Sequence, residues 1–118
     1  MIKPDLSDPV LRERLGLLQQ AETWSRDQHE AYQLSELRRI LNHAGNHVPY
    51  YRHLFQETCF DPDRVSSLAD LRRLPLLDKD TVRARHTEFI AEDYDPEDLI
   101  EMTTGGSTGD PMRVPWDK

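Results

Sequence analysis

The sequence predicts an α+β chain of mostly short helices that ends in one C-terminal β-hairpin. Three observations carry this. Apolar residues recur at helical spacing between positions 31 and 44; capping residues and prolines punctuate the chain at short intervals from 47 to 98; and apolar–polar alternation sets in only at Leu99, on both sides of a glycine-rich stretch. The expected organisation is an N-terminal arm or helix over 1–24, a helical region over 25–98, and a hairpin over 99–118, together one incomplete domain. A hydrophobic content of 36% and a mean hydropathy of -0.77 imply a thin core. That suits a piece that covers, or is covered by, something else.

Asp8-Pro9 reads as an N-cap with proline at the first helical position, followed by Val10, Leu11, Leu15, Leu17 and Leu18, with Gly16 weakening the helix. Ser25 and Gln28 form a capping box, with Trp24 just outside it as a staple residue. Ala31, Leu34, Leu37, Leu41 and Ala44 then mark one face of a helix, with Arg26, Glu30, Glu36, Arg38 and Arg39 on the other. Gly45-Asn46 is expected to end it, since both residues tolerate the left-handed conformation of a C-cap. Pro49 restarts a short helix that turns Tyr50, Leu54 and Phe55 inward. Asp61-Pro62 and Ser67 mark further caps, Leu68, Leu71 and Leu74 a short apolar face, and Pro75 its end. Asp78 caps one more helix, from Lys79 to about His86, after which Phe89 and Ile90 should pack. Asp95-Pro96 turns the chain into the first strand.

Fifteen basic and 22 acidic side chains give a net charge of -7, with the basic residues interspersed among acids. A nucleic-acid surface needs a basic patch that releases counterions, and an anionic membrane needs the same, so neither partner is expected. Cys59 is the sole cysteine, which excludes an internal disulfide; at an apparent helix end between Thr58 and Phe60 it reads as inert packing. The first residues, Met1-Ile2-Lys3-Pro4-Asp5, hold no signal-peptide core, and no apolar run reaches membrane length. A cytoplasmic protein is expected.

The chemistry concentrates in Met102-Thr103-Thr104-Gly105-Gly106-Ser107-Thr108-Gly109-Asp110-Pro111-Met112. Glycines without a Cβ let backbone N–H groups converge on an anion, and the hydroxyls add donors. Spacing excludes two phosphate loops. Counting from Gly105 or Gly106, a Walker loop would need a second glycine where Asp110 or Pro111 stands, followed by lysine, and a dinucleotide fingerprint would need glycine in place of Thr104.

The stretch TTGGSTGDP resembles the phosphate-binding signature of the adenylate-forming enzymes, the acyl-CoA synthetase and ligase superfamily, written T-S-G-[ST]-T-G-x-P-K. Thr104, Gly106, Ser107, Thr108, Gly109 and Pro111 match in order; Gly105 replaces a serine and Met112 a lysine. Arg113 is a candidate replacement for that cation, although a strand would point it to the other face. Upstream, LRRILNHA, HVPYYRHLF and SLADLRRLPLLDKDTVR resemble the N-terminal part of the phenylacetate-CoA ligase branch, which includes the coenzyme F390 synthetase and capsular polysaccharide biosynthesis proteins.

The resemblance implies a fragment of the large N-terminal domain of such an enzyme, packed in the intact family against a larger mixed sheet. It implies activation of a small carboxylic acid with ATP and Mg²⁺ to an acyl-adenylate, followed by capture on coenzyme A. Thr104, Gly105, Gly106, Ser107, Thr108 and Gly109 would bind the β- and γ-phosphates, Thr103 would stand at the rim, and Pro111 would stiffen the exit. The adenine, ribose and acyl contacts and the distal lysine of the family would lie beyond Lys118. The chain is therefore expected to be an N-terminal fragment, or a product truncated to that piece, with no catalytic residue of its own, no tightly bound cofactor and no turnover. Its partner would be the remainder of the ligase chain.

Other constellations compete. His43 and His47, four apart, have zinc spacing, but a helix break at Gly45-Asn46 and the want of a third ligand argue against a metal. His53 and Glu57 share that spacing and the same objection. Glu92-Asp93-Tyr94-Asp95-Pro96-Glu97-Asp98 reads as a solvated turn, and Tyr50-Tyr51 as core rather than a base-stacking platform. A second function class stays open: a noncatalytic helical module that binds another chain or a second copy of itself as a homodimer.

Overall fold

A computed structural model describes residues 7–105 and 111–117. Its order is α1 (Pro9–Ala21), α2 (Arg26–His47), α3 (Pro49–Glu57), α4 (Lys79–Ala84), β1 (Leu99–Thr103) and β2 (Arg113–Asp117), with 3₁₀ turns at Pro62–Arg64, Leu68–Arg73, His86–Phe89 and Pro96–Asp98. The α+β character and the C-terminal hairpin are as the sequence predicts. The chain divides into two compact units, Met1–Ser35 and Glu36–Lys118.

In the first unit, the Asp8 carboxylate accepts from the amides of Val10 (2.8 Å) and Leu11 (3.4 Å), so the predicted cap starts α1. The capping box of α2 is also present: the Ser25 amide donates to Gln28 Oε1 at 2.8 Å, and the Gln28 amide to Ser25 Oγ at 3.3 Å. Trp24 lies against His29 and Tyr32, each ring centroid 5.4 Å away, which fixes the entry of the chain into the helix. None of the residues described here is buried.

The second unit holds the core: Leu41, Val48, Phe55, Phe60 and Val65. The expected break at Gly45-Asn46 does not occur, and α2 runs on to His47. Pro49 sets the end instead. Its ring forces the preceding Val48 into an extended conformation (φ -105, ψ 112) while the Val48 amide still closes the last turn on the Ala44 carbonyl at 2.9 Å. Gly45 has a packing role. A Cβ there would stand 3.0 Å from Phe55 Cδ2, so its bare backbone lets the Phe55 ring approach α2.

Helix α3 ends in a Schellman turn. The Phe60 amide donates to the Phe55 carbonyl (2.9 Å) and the Cys59 amide to the Gln56 carbonyl (3.3 Å), with Cys59 at φ 51 between them. The hydrophobic contact of that motif is the Phe55–Phe60 pair, centroids 5.0 Å apart. Cys59 is exposed rather than packed, because the left-handed corner lifts it off the core. Tyr50 and Tyr51 fit the packing reading: Tyr50 stacks on Phe89 at 4.2 Å and lies under the Arg85 guanidinium at 4.8 Å, while Tyr51 meets Phe55 and Phe89.

The segment from Ser67 forms a 3₁₀ turn with Leu68 and Leu71 exposed, so its predicted apolar face is not covered within the described residues. Asp70 accepts from the Ser66 and Ser67 amides, which holds its carboxyl below the usual carboxylate range. Asp78 caps α4 by accepting from the Thr81 amide at 2.7 Å. The helix stops at Ala84, two residues short of His86, and the chain tightens into the 3₁₀ turn that carries Phe89 inward. Among the described residues no helix is long and apolar enough to cross a membrane.

Candidate functional site

The two strands pair antiparallel in the register Leu99↔Asp117, Ile100↔Trp116, Glu101↔Pro115, Met102↔Val114 and Thr103↔Arg113. Directly opposed residues share a face, so Glu101, Thr103, Arg113 and Pro115 lie on one side and Met102 and Val114 on the other. The loop between the strands is closed at its base by Thr104. Its amide donates to the Met112 carbonyl at 2.8 Å, and its hydroxyl oxygen accepts from the Met112 amide at 2.9 Å. Thr104 is thus a clamp as well as a candidate ligand, and its hydroxyl proton remains available to an acceptor. Gly105 follows with open space where a Cβ would stand. Gly106, Ser107, Thr108 and Gly109 lie outside the described residues.

Sequence reasoning missed the surroundings of this base. A cavity of about 430 Å³ lies against the loop exit, lined by Arg83, His86, Glu101, Pro111 and Arg113. Arg113 sits at the end of the hairpin, its Nη1 3.7 Å from Glu101 Oε1; Arg83 comes from α4, its Nη1 3.6 Å from Asp80 Oδ1. The Arg113–Glu101 pair is long and solvent-exposed, so it holds the Arg113 guanidinium loosely. His86 Nε2 is buried with no hydrogen-bond partner among the described residues. An anion entering the cavity would meet the guanidinium groups of Arg83 and Arg113, with the Glu101 carboxylate also in the lining. Arg113 was visible in the sequence as a substitute for the missing lysine. Arg83 and His86 were not, because only the fold brings α4 and the turn after it beside the hairpin.

A second cavity of about 380 Å³ is apolar, lined by Ile40, Leu41, Tyr50, Leu54, Leu74 and Leu77 among others. Ile40 and Leu77 are half exposed at its edge, and Leu76 beside it is fully exposed.

No protein-family model matches the chain. Curated relatives do. It is 34% identical over 99 residues to the phenylacetate-coenzyme A ligase of Pseudomonas putida, 37% over 75 residues to that of Aromatoleum evansii, and 33% over 94 residues to that of Escherichia coli K12. These alignments take in 84%, 64% and 79% of this chain. The chain spans only 23%, 17% and 21% of the respective relatives.

Proposed function

From its membership in the phenylacetate-coenzyme A ligase family, over about a fifth of those enzymes' length, we propose that this chain supplies the polyphosphate-binding corner of an acid–thiol ligase. The observation that supports this most directly is the hairpin. Its loop carries the TTGGSTGDP sequence, and its base brings Arg113, Arg83 and His86 to one cavity. Activation of a carboxylate by ATP expels pyrophosphate, and the charge on that leaving group must meet cations and dipoles already in place.

In this reading the amides of Gly105 to Gly109 and the hydroxyls of Ser107 and Thr108 hold the β- and γ-phosphates. Arg113 and Arg83 replace the positive charge that Met112 does not provide. Thr104 sets the width of the loop through its two bonds to Met112. Mg²⁺ would accompany ATP and further neutralise its phosphates. The remaining contacts to adenine, the acid and coenzyme A belong to sequence that the relatives have beyond the matched fifth. The apolar cavity edged by Ile40 and Leu77 is where that remaining ligase chain would pack. An aryl acid is the substrate class that the relatives' name suggests.

A chimera tests this. The matching segment of the Pseudomonas putida phenylacetate-coenzyme A ligase is replaced by this chain, and phenylacetate-dependent release of pyrophosphate is assayed. Retained release is expected, with the KM for ATP raised by Arg113→Met and by Arg83→Met. A folded chimera that binds ATP and phenylacetate yet releases no pyrophosphate contradicts the reading.

A further inference from the structure

The sequence objections to a metal at His43 and His47 are both removed by the fold. Helix α2 continues through Gly45 and Asn46, so the two imidazoles stand one turn apart on the same face, ring centroids 5.0 Å apart and inclined by 38°. A third group arrives from elsewhere in the chain. Asp93 lies between them, its Oδ2 3.8 Å from His43 Nδ1 and its Oδ1 4.0 Å from His47 Nδ1. One donor atom from each of the three residues falls within a span of 4.8 Å.

Asp93 is held there by its neighbours. The Glu92 amide donates to the His47 carbonyl at 2.8 Å, and the Glu92 carboxylate accepts from Arg52 at 2.6 Å. Arg52 in turn donates to the Asn46 carbonyl at 2.7 Å, so one guanidinium ties the segment before the hairpin to the last turn of α2. With Glu92 engaged by Arg52, Asp93 is the carboxylate left facing the imidazoles. Tyr94 stands edge-on to His43, centroids 6.4 Å apart.

Separations of 3.8 and 4.0 Å are too long for hydrogen bonds between Asp93 and the imidazoles. They are close to what a shared cation requires. With ligand bonds of about 2.0 to 2.2 Å, donors around a tetrahedral ion stand about 3.4 Å apart, so small side-chain rotations would close the set. The negative end of the α2 dipole also favours a cation at this point. All three side chains are about a third to two fifths exposed, which leaves an entry path and a fourth position for water.

The geometry points to a binding site for a divalent transition ion of the zinc class, formed by His43, His47 and Asp93, that fastens the segment leading into β1 onto α2. Two imidazoles and a carboxylate select Zn²⁺ or Co²⁺ over the hard cations Mg²⁺ and Ca²⁺. The site is separate from the phosphate loop and stands or falls independently of it.

The test titrates the 118-residue chain with Co²⁺, follows the visible absorption, and then competes the ion off with Zn²⁺. The expected result is one ion per chain, with affinity reduced roughly tenfold or more in each of His43→Gln, His47→Gln and Asp93→Asn and unchanged in His29→Gln. Zn²⁺ should also slow amide exchange at Glu92 in the unaltered chain. Absence of binding below millimolar Co²⁺ would overturn the proposal. So would binding that Asp93→Asn leaves unchanged while circular dichroism shows that variant folded, since two helical histidines alone would then account for it.

Discussion

Helices α1 and α3 make an instructive pair. In thirteen residues α1 carries Val10, Leu11, Leu15, Leu17 and Leu18 and buries none of them; in nine residues α3 buries Phe55 and half-buries Tyr50, Tyr51 and Leu54. Both start with a proline at the first turn, and of the two only α1 has a side-chain cap, from Asp8. What differs is the provision for close approach. Opposite α3 stands Gly45, whose missing Cβ admits the Phe55 ring, and after it the Schellman turn folds Phe60 back onto the same ring. Gly16 in α1 faces open space and admits nothing. An apolar stripe makes a helix; a core needs a second surface shaped to receive it.

The comparison can be broken at its strongest point first. Phe55→Ala should cost about 3 to 5 kcal/mol in urea unfolding, enough to unfold a small domain, whereas Leu18→Ala should change stability by less than about 0.5 kcal/mol. Gly45→Val should cost about 1 to 3 kcal/mol through overpacking against Phe55. Gly16→Ala runs the other way and should stabilise by up to about 1 kcal/mol, since nothing opposes the gain in helix propensity. Cys59→Gly should also stabilise, by about 1 kcal/mol, by relieving the left-handed backbone at φ 51. A loss of stability in Cys59→Gly would show that the thiol is held by something other than the turn.

The smallest expected effect concerns pH. The carboxyls of Asp70, Asp78, Glu88 and Glu92 are held below their ordinary range, chiefly by the Ser66 amide, the Thr81 amide, Arg85 and Arg52 respectively. A depressed folded-state value stabilises above the unfolded pKa and is lost as pH falls through the folded one. Stability of the unit from Glu36 onward should therefore fall as the solution is acidified below the ordinary carboxylate range. Arg52→Met should flatten part of that fall, read as midpoint shifts in urea melts at several acidic pH values. An identical slope in Arg52→Met would deny the Glu92 pair any role.

Much of the fold was legible because its signals are local. Asp8, Ser25 with Gln28, Asp61, Asp78 and Asp95 each cap by accepting from an amide two or three residues on, which spacing alone reveals. Gly45 was misread because glycine serves both left-handed caps and close packing, and only the position of Phe55, ten residues on, decides between them. The same ambiguity hid Asp93. Local sequence showed an acidic turn around Pro96, while the latch from Arg52 to Glu92 that aims it spans forty positions. At the candidate phosphate site the loop was readable as a motif, but the approach of Arg83 and His86 to the hairpin was not, since α4 and the turn after it have no spacing rule relative to the hairpin.

The central claim is that the loop from Thr104 to Gly109 binds the polyphosphate of ATP in a phenylacetate-coenzyme A ligase framework. The measurement that bears on it most directly is the KM for ATP of the ligase chimera carrying this chain, compared with that of the same chimera with Thr108→Val. A rise of roughly tenfold in the KM for ATP, with the KM for phenylacetate unchanged, is the predicted result. Equal values for the two proteins would show that the loop does not contact the phosphates, and the account of the hairpin would fail with it.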